Sequence, residues 1–174
     1  LTLPMPQVLS GAFDTLSHAM ETYFGQSDGD NASDDVALAV MRNTVVNMRR
    51  VLKDKDDLEA RSNLMWDSAM AENGILKVGR KTDRHIVKDA PEKFARLGQV
   101  VFGLPADARP EAAVDALAAF IAECGLPTKL GQLRSTVTID KDLLRKVADS
   151  CNLIPTNPRT LTHDEVYDIL CECL

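Results

Sequence analysis

The stretch GAFDTLSHAMETYFGQ, residues 11–26, has the apolar spacing of an amphipathic helix. Asp14 and His18 stand four residues apart in it, so their side chains project from one face of the helix, with Cβ atoms about 5–6 Å apart. Such a pair can bind one cation between carboxylate and imidazole, or it can be an ordinary surface pair worth a few tenths of a kcal/mol. Spacing alone favours the surface pair. The neighbouring residues are apolar: Phe13, Leu16, Ala19 and Met20.

Working outward from this stretch, the sequence predicts a helix over about residues 7–24, preceded by a proline-containing linker remnant at residues 1–6. Ser33 is predicted to cap a second helix, and Thr162 with Glu165 forms a capping-box pattern at the start of the last one. No strand-like alternation stands out. The predicted fold class is therefore all-α, a multi-helix bundle in a single domain over residues 1–174. Further helices are predicted at 34–54, 56–73 (ending before Gly74), 90–103, 109–125, 140–151 and 162–174, with a short helical turn at 126–133.

Composition narrows the function classes. The 174 residues suffice for one domain, and the net charge of −6 with interspersed signs argues against a nucleic-acid surface. No apolar run approaches the length of a membrane span and no basic leader is seen, so we expect a cytoplasmic protein without a membrane partner. The cysteines show no metal-binding spacing and are expected to be reduced thiols: Cys124, Cys151, Cys171 and Cys173.

A catalytic divalent centre usually has three or more protein ligands, so a site at Asp14 and His18 would need at least one further ligand. His163 lies inside the capping box and is expected to be solvated. His85 has charged neighbours and begins a new helix, and by pattern alone it is open as a third ligand or a solvated residue. An apolar stripe on the third helix either fills the core, which we favour, or packs near a metal: Met65, Trp66 and Met70.

The segment LPMPQVLSGAFDTLSHAMETYF, residues 3–24, resembles the opening of the helical domain of iron-containing (group III) alcohol dehydrogenases, in their butanol-dehydrogenase-like branch. The family pattern D-x-x-x-H, followed by a Glu and an aromatic residue, is matched by Asp14, His18, Glu21 and Tyr23. Four later stretches resemble the same domain in the same order: RSNLMWDSAMAENGILKVGRKTD, APEKFARLGQVVFGL, FIAECGLPTKLGQL and LTHDEVYDIL.

This resemblance implies a dehydroquinate-synthase-like helical domain in which Asp14 and His18 are metal ligands for Fe²⁺ or Zn²⁺. Glu21 would then orient the His18 imidazole from behind as a hydrogen-bond acceptor, with a solvated acidic residue as the equal alternative. The metal would polarise the oxygen of a small alcohol or aldehyde substrate for hydride transfer to or from NAD or NADP. Family members are often oligomers, so a homo-oligomer is possible.

The sequence departs from the family in two places. The family's further ligand histidines are expected after GRKTD, but Asp83 is followed directly by Arg84, and His85 is not assigned as a ligand. The family's α/β nucleotide-binding domain is absent from this chain, which has no G-x-G-x-x-G motif. We therefore expect the 174 residues alone to be inactive. The alternatives are a non-catalytic helical scaffold or oligomerisation module derived from that fold, and a metal-independent helical interaction domain.

Overall fold

The computed structural model describes residues 2–25, 32–72, 90–133, 135–153 and 160–174. None of these residues forms a β-strand, which confirms the all-α fold class. The predicted helix end at Gly74, the Asp83–Arg84 junction and His85 lie outside the described residues. The described helices are α1 Met5–Tyr23, α2 Ala32–Lys53, α3 Leu58–Glu72, α4 Pro91–Phe102, α5 Glu111–Glu123, α6 Lys141–Ser150 and α7 His163–Glu172, with a 3-10 turn at Leu130–Gln132 between α5 and α6.

Helix α1 starts earlier than predicted, with Pro4 as its N-cap and Pro6 in its first turn. Proline is tolerated there because the N–H groups of the first turn have no hydrogen-bond partner within the helix. The predicted linker remnant at residues 1–6 was thus two residues too long. Helix α2 begins at Ala32, so Ser33 lies inside its first turn and the prediction of Ser33 as the cap is wrong.

Helices α1, α2 and α3 form the part of the bundle that positions the candidate site. Arg61 at the start of α3 donates to the Leu3 carbonyl beside the start of α1 at 3.0 Å, and His18 on α1 lies 2.9 Å from Glu72 at the end of α3. Helices α1 and α3 therefore run in the same direction. Helix α1 turns one stripe of residues at helical spacing toward the core: Val8, Ala12, Leu16, Ala19 and Tyr23.

Helices α4 and α5 close the core from the other side. Phe24 stacks on Phe94 of α4 with ring centroids 4.5 Å apart, and Phe13 stacks on the fully buried Phe120 of α5 at 5.6 Å. Gly103 ends α4 with φ of 70°, the left-handed conformation that favours glycine, as the sequence predicts.

The last helix, α7, is capped as predicted. The Thr162 side chain accepts from the Glu165 N–H, and the Glu165 side chain accepts from the Thr162 N–H. The prediction of a solvated His163 is wrong: its ring is half-buried and Nδ1 lies 2.7 Å from the Ala148 carbonyl of α6. This contact ties α7 to α6.

The apolar stripe on α3 does not fill the core as predicted. Met65 is 74% exposed and Trp66 66% exposed, while Met70 packs against the core. The reason is that a different stripe of α3 faces the core. It consists of Ala60, Leu64, Asp67 and Ala71.

The four cysteines are free thiols. Cys124 is buried, and that burial raises the pKa of its thiol to about 11. None of the described helices is long and apolar enough to cross a bilayer.

Candidate metal centre

The structure places the predicted site residues around the His18 ring. Asp14 lies one turn earlier on α1, and its Oδ1 is 3.6 Å from His18 Nε2. Glu21 lies on the other side of the ring, with Oε2 3.4 Å from Nδ1. The i, i+4 and i, i+3 spacing on one helix explains why both carboxylates reach the same imidazole. Asp14, His18 and Glu21 thus lie next to one another, as their spacing on one helix predicts.

A fourth residue of this group was missed from the sequence. Glu72 in the last turn of α3 places Oε1 2.9 Å from His18 Nε2, the nitrogen that Asp14 also faces. One feature of the sequence could have indicated Glu72: a carboxylate at the C-terminal end of a helix is repelled by the negative end of the helix dipole. Such an unfavourable placement indicates that something else holds the acid there.

The group is open to solvent on the carboxylate side. The side chains of Asp14 and Glu72 are 70% and 52% exposed, whereas those of His18 and Glu21 are each 31% exposed. Nδ1 of His18 is itself buried and makes no hydrogen bond, since the geometry of its 3.4 Å contact with Glu21 is unsuitable for one.

Three carboxylates and two helix ends surround this one imidazole. Glu21 lies in the last turn of α1 and Glu72 in the last turn of α3, and neither of these described helices has a basic residue in its last turn. The negative dipole ends of both helices thus reinforce the carboxylates.

The described residues do not already form a closed metal site. In the five described ranges, no group of three or more His, Cys, Asp or Glu side chains is arranged to hold an ion. His163 lies on α7 against Ala148 and is not among the contacts of His18. Asp14 and His18 thus lie together as predicted, and the carboxylates of Glu21 and Glu72 lie beside the same imidazole.

A second polar cluster lies between α2 and α3 and differs in character. The Asp67 carboxylate is buried and accepts from Asn43 Nδ2 at 2.8 and 3.0 Å and from Thr44 Oγ1 at 3.2 Å. Asn47 donates to Asn43, and Asn63 donates to Asn47. Burial raises the pKa of Asp67, and the hydrogen bonds from Asn43 and Thr44 offset this in part.

Comparison with known proteins shows which proteins the chain resembles. Residues 8–82 match the family model described as "Fe-containing alcohol dehydrogenase family, C-terminal". NADH-dependent butanol dehydrogenase A of Clostridium acetobutylicum is 38% identical over 79 residues, which cover 45% of this chain and 20% of that protein. The crystal structure of NADH-dependent butanol dehydrogenase A from Thermotoga maritima superposes with a TM-score of 0.83 at 23% identity, over 99% of this chain and 53% of that one.

A match over nearly the whole chain shows how its length compares with that of a relative. Probable NADH-dependent butanol dehydrogenase 1 of Bacillus subtilis is 20% identical over 206 aligned positions, covering 97% of this chain and 52% of that protein. Because this chain has 174 residues, the relative carries stretches of sequence within the alignment that this chain lacks. The chain spans about half the length of these relatives. The resemblance to the iron-containing alcohol dehydrogenase family is thus confirmed over residues 8–82. The structural match shows that the chain has the same fold as about half of the Thermotoga maritima enzyme.

Proposed function

We propose that this chain is the metal-bearing helical part of an NAD(P)-linked alcohol dehydrogenase, with Asp14 and His18 as metal ligands. The observation that carries the proposal is the convergence of Asp14 Oδ1 on His18 Nε2, at 3.6 Å, inside the segment that matches the family. A surface pair needs no third carboxylate, but Glu72 approaches the same nitrogen. The donor set therefore favours a cation over an isolated helix pair.

Asp14 and His18 supply two donors of the kinds that divalent ions bind, fewer than the three or more protein ligands of a typical catalytic centre. Imidazole nitrogen with carboxylate oxygen is a donor set that both Fe²⁺ and Zn²⁺ accept. When bound, such an ion supplies Lewis-acid polarisation of an alcohol or carbonyl oxygen. The family name supports iron, and the donor set alone does not separate iron from zinc.

The chain's own residues prepare the imidazole for this role. A ligating histidine must be neutral, with its lone pair on the nitrogen that faces the metal and its proton on the other nitrogen. Glu21 lies beside Nδ1, so its carboxylate favours the tautomer that carries the proton there. Nε2 is then left with its lone pair directed toward Asp14. Because Glu21 comes from the same helix, it also limits rotation of the ring.

The nicotinamide dinucleotide, NAD or NADP, and most of the pocket for a small alcohol or aldehyde would come from polypeptide beyond these 174 residues. The relatives support this division, since they are about twice as long and are named NADH-dependent butanol dehydrogenases. The family match ends at Thr82, next to the Asp83–Arg84 junction, which supports the prediction that further ligands are missing there. Homo-oligomerisation, a single domain over residues 1–174 and a cytoplasmic location stay predictions.

Metal analysis of the purified protein tests the proposal. Iron and zinc are measured by mass spectrometry per chain after loading with each ion and desalting, in wild type, Asp14→Ala and His18→Ala. His163→Ala is the matched control, because its ring bonds to Ala148 on another helix pair. Circular dichroism confirms that each variant is folded.

We expect both site variants to lose most of the bound metal and the control to retain it. Equal metal content in wild type, Asp14→Ala and His18→Ala would remove these residues from any site and leave the scaffold or oligomerisation module as the better account. Reduction of butanal with NADH and with NADPH, measured on the same samples, then asks whether the metal-bearing chain is catalytic by itself. We expect it to be inactive.

A further inference from the structure

A groove between α1 and α3, the α1–α3 groove, has a mainly apolar surface. Its volume is about 330 Å³, toward the small end of the range of ligand pockets. Buried residues of both helices form its floor, and apolar side chains that are more than half exposed form its rim. The floor residues are Val8, Ala12 and Leu64, and the rim residues are Leu3, Leu58 and Met65. Such a concave apolar surface is suited to an apolar ligand.

Contacts between α1 and α3 lie at both ends of this groove. At one end Arg61 of α3 donates to a backbone carbonyl just before α1 at 3.0 Å, and at the other His18 Nε2 lies 2.9 Å from Glu72 Oε1. Gly11 lines the groove, and Asp14 follows it by one turn, about 4.5 Å along the axis of α1. A ligand in the groove therefore has one end among apolar side chains and the other beside Asp14 and His18.

Gly11 leaves space in the groove next to Asp14. It lies inside α1, where glycine is less favourable than alanine because it loses more backbone freedom on folding. A Cβ atom at this position would meet nothing within 4 Å, so packing within the chain does not require a glycine. The Gly11 carbonyl accepts from the Thr15 hydroxyl at 2.8 Å, so its backbone oxygen has a partner. The missing side chain allows a ligand to approach the backbone of α1.

The polar side chains along the groove do not select a charged ligand. Arg61 already donates to two backbone carbonyls, at 3.0 and 2.6 Å. The Ser62 hydroxyl donates to a backbone carbonyl one turn earlier in α3, at 2.8 Å. The apolar walls therefore determine what binds, because an aliphatic chain gains free energy when it leaves water.

We propose that the α1–α3 groove binds the unbranched aliphatic chain of a primary alcohol or aldehyde, with the oxygen end beside Asp14 and His18. An unbranched chain suits a small groove that runs along two helices. The apolar lining accounts for the chain, and the identity of the oxygen-bearing group rests on the proposed function.

NMR spectra of the metal-free full chain, isotope-labelled at the methionine methyl groups, test this inference. Met65 lies on the rim and reports occupancy of the groove, while the buried Met41 and Met48 report non-specific effects. Butanol, hexanol and octanol are titrated separately, and ethylene glycol is the control ligand because it has hydroxyls without an alkyl chain. Gly11→Leu fills the groove. Ser10→Leu is the matched control, because it places the same side chain at an exposed position of α1 outside the groove lining.

We expect a saturable shift of the Met65 signal in wild type and Ser10→Leu, with the affinity rising about fourfold for each added methylene until the groove is full. Gly11→Leu should lose this shift, and ethylene glycol should produce none. Gly11→Ala, which removes a helix-weakening glycine and so should fold at least as well as wild type, should bind hexanol less tightly than wild type. Absence of a saturable Met65 shift in wild type, or an equal shift in folded Gly11→Leu and Gly11→Ala, would overturn the inference.

The iron and zinc content of the same variants separates this inference from the proposed function. Gly11→Leu should retain the metal content of wild type, since it leaves Asp14 and His18 in place. A groove that binds no alcohol in a chain whose metal depends on Asp14 and His18 would overturn the inference alone. A groove that binds the alcohols in a chain whose metal content is the same in Asp14→Ala and His18→Ala would overturn the proposed function and leave the groove as a site for the aliphatic chain.

Discussion

Helix α3 carries two acids that meet opposite environments. Asp67 faces α2, is 2% exposed, and receives hydrogen bonds from Asn43 and Thr44. Glu72, little more than one turn later, faces His18 of α1 and is 52% exposed. The buried acid has its acceptor capacity used by neutral donors of the protein, which is how a structural carboxylate is accommodated. The exposed acid lies with Asp14 and Glu21 beside one imidazole, where solvent can reach it.

The largest effect expected from this comparison is on folding stability. Asp67→Ala would leave the Asn43 amide and the buried Thr44 hydroxyl without their acceptor, and it would open a small cavity. We expect the free energy of unfolding to fall by about 3 kcal/mol. Urea unfolding followed by circular dichroism measures it.

Asp14→Ala is the matched control for that measurement, because it makes the same change at a side chain that is 70% exposed. We expect its free energy of unfolding, in metal-free protein, to lie within about 0.5 kcal/mol of wild type. If the two variants were equally destabilised, the distinction between a structural acid and a ligand acid in this domain would be wrong.

The next effect concerns Glu21 and metal affinity. Glu21→Gln weakens the acceptor beside His18 Nδ1 and should reduce Zn²⁺ affinity about tenfold, near 1.4 kcal/mol, as for other residues that orient a ligating histidine. Isothermal titration calorimetry with Zn²⁺ and metal-free protein measures it, with Glu123→Gln on α5 as control. An affinity equal to wild type would show that Glu21 is a solvated acid, the equal alternative from the sequence.

A smaller effect is expected at the far end of the buried polar network. Asn63 donates to Asn47 Oδ1 at 3.1 Å, and Asn47 is itself 2% exposed. Asn63→Ala removes one hydrogen bond to a buried acceptor, so the free energy of unfolding should fall by about 1 kcal/mol. Ser62→Ala is the control in the same urea experiment, because that hydroxyl is exposed and bonds only within α3. Equal loss in both would mean that the network adds nothing beyond the helix.

The contrast also explains what the sequence could and could not predict. Local signals succeeded: Gly103 ends α4, and Thr162 with Glu165 caps α7, because caps depend on residues a few positions apart. Asp14 and His18 were paired for the same reason. Glu72 was missed because its distance to His18 depends on how α3 lies along α1. Trp66 was misplaced because helical spacing does not say which stripe of α3 faces inward, and Asp67 with its hydrogen-bond donors occupies that stripe.

The smallest expected effect is a difference in pH dependence between two aspartates. Burial raises the pKa of Asp67 above 3.8, so the folded state retains its proton longer than the unfolded state does. Its contribution to stability is therefore full below pH 3.8 and is lost as the pH rises through the folded pKa. Asp57 is the opposite case. The Ala60 N–H, followed by Arg50, lowers the pKa of Asp57 below 3.8, so its contribution is present above pH 3.8 and is lost as the pH falls through the folded pKa.

Urea unfolding between pH 3 and pH 6, a range chosen about these carboxyl pKa values, compares wild type with Asp67→Asn and Asp57→Asn. The stability advantage of wild type over Asp67→Asn should shrink as the pH rises, and its advantage over Asp57→Asn should grow. Asparagine keeps the shape of both side chains, so the slopes report protonation and the offsets report lost hydrogen bonds. Parallel slopes for the two variants would mean that the burial of Asp67 has no electrostatic consequence, and the contrast within α3 would reduce to solvent exposure alone.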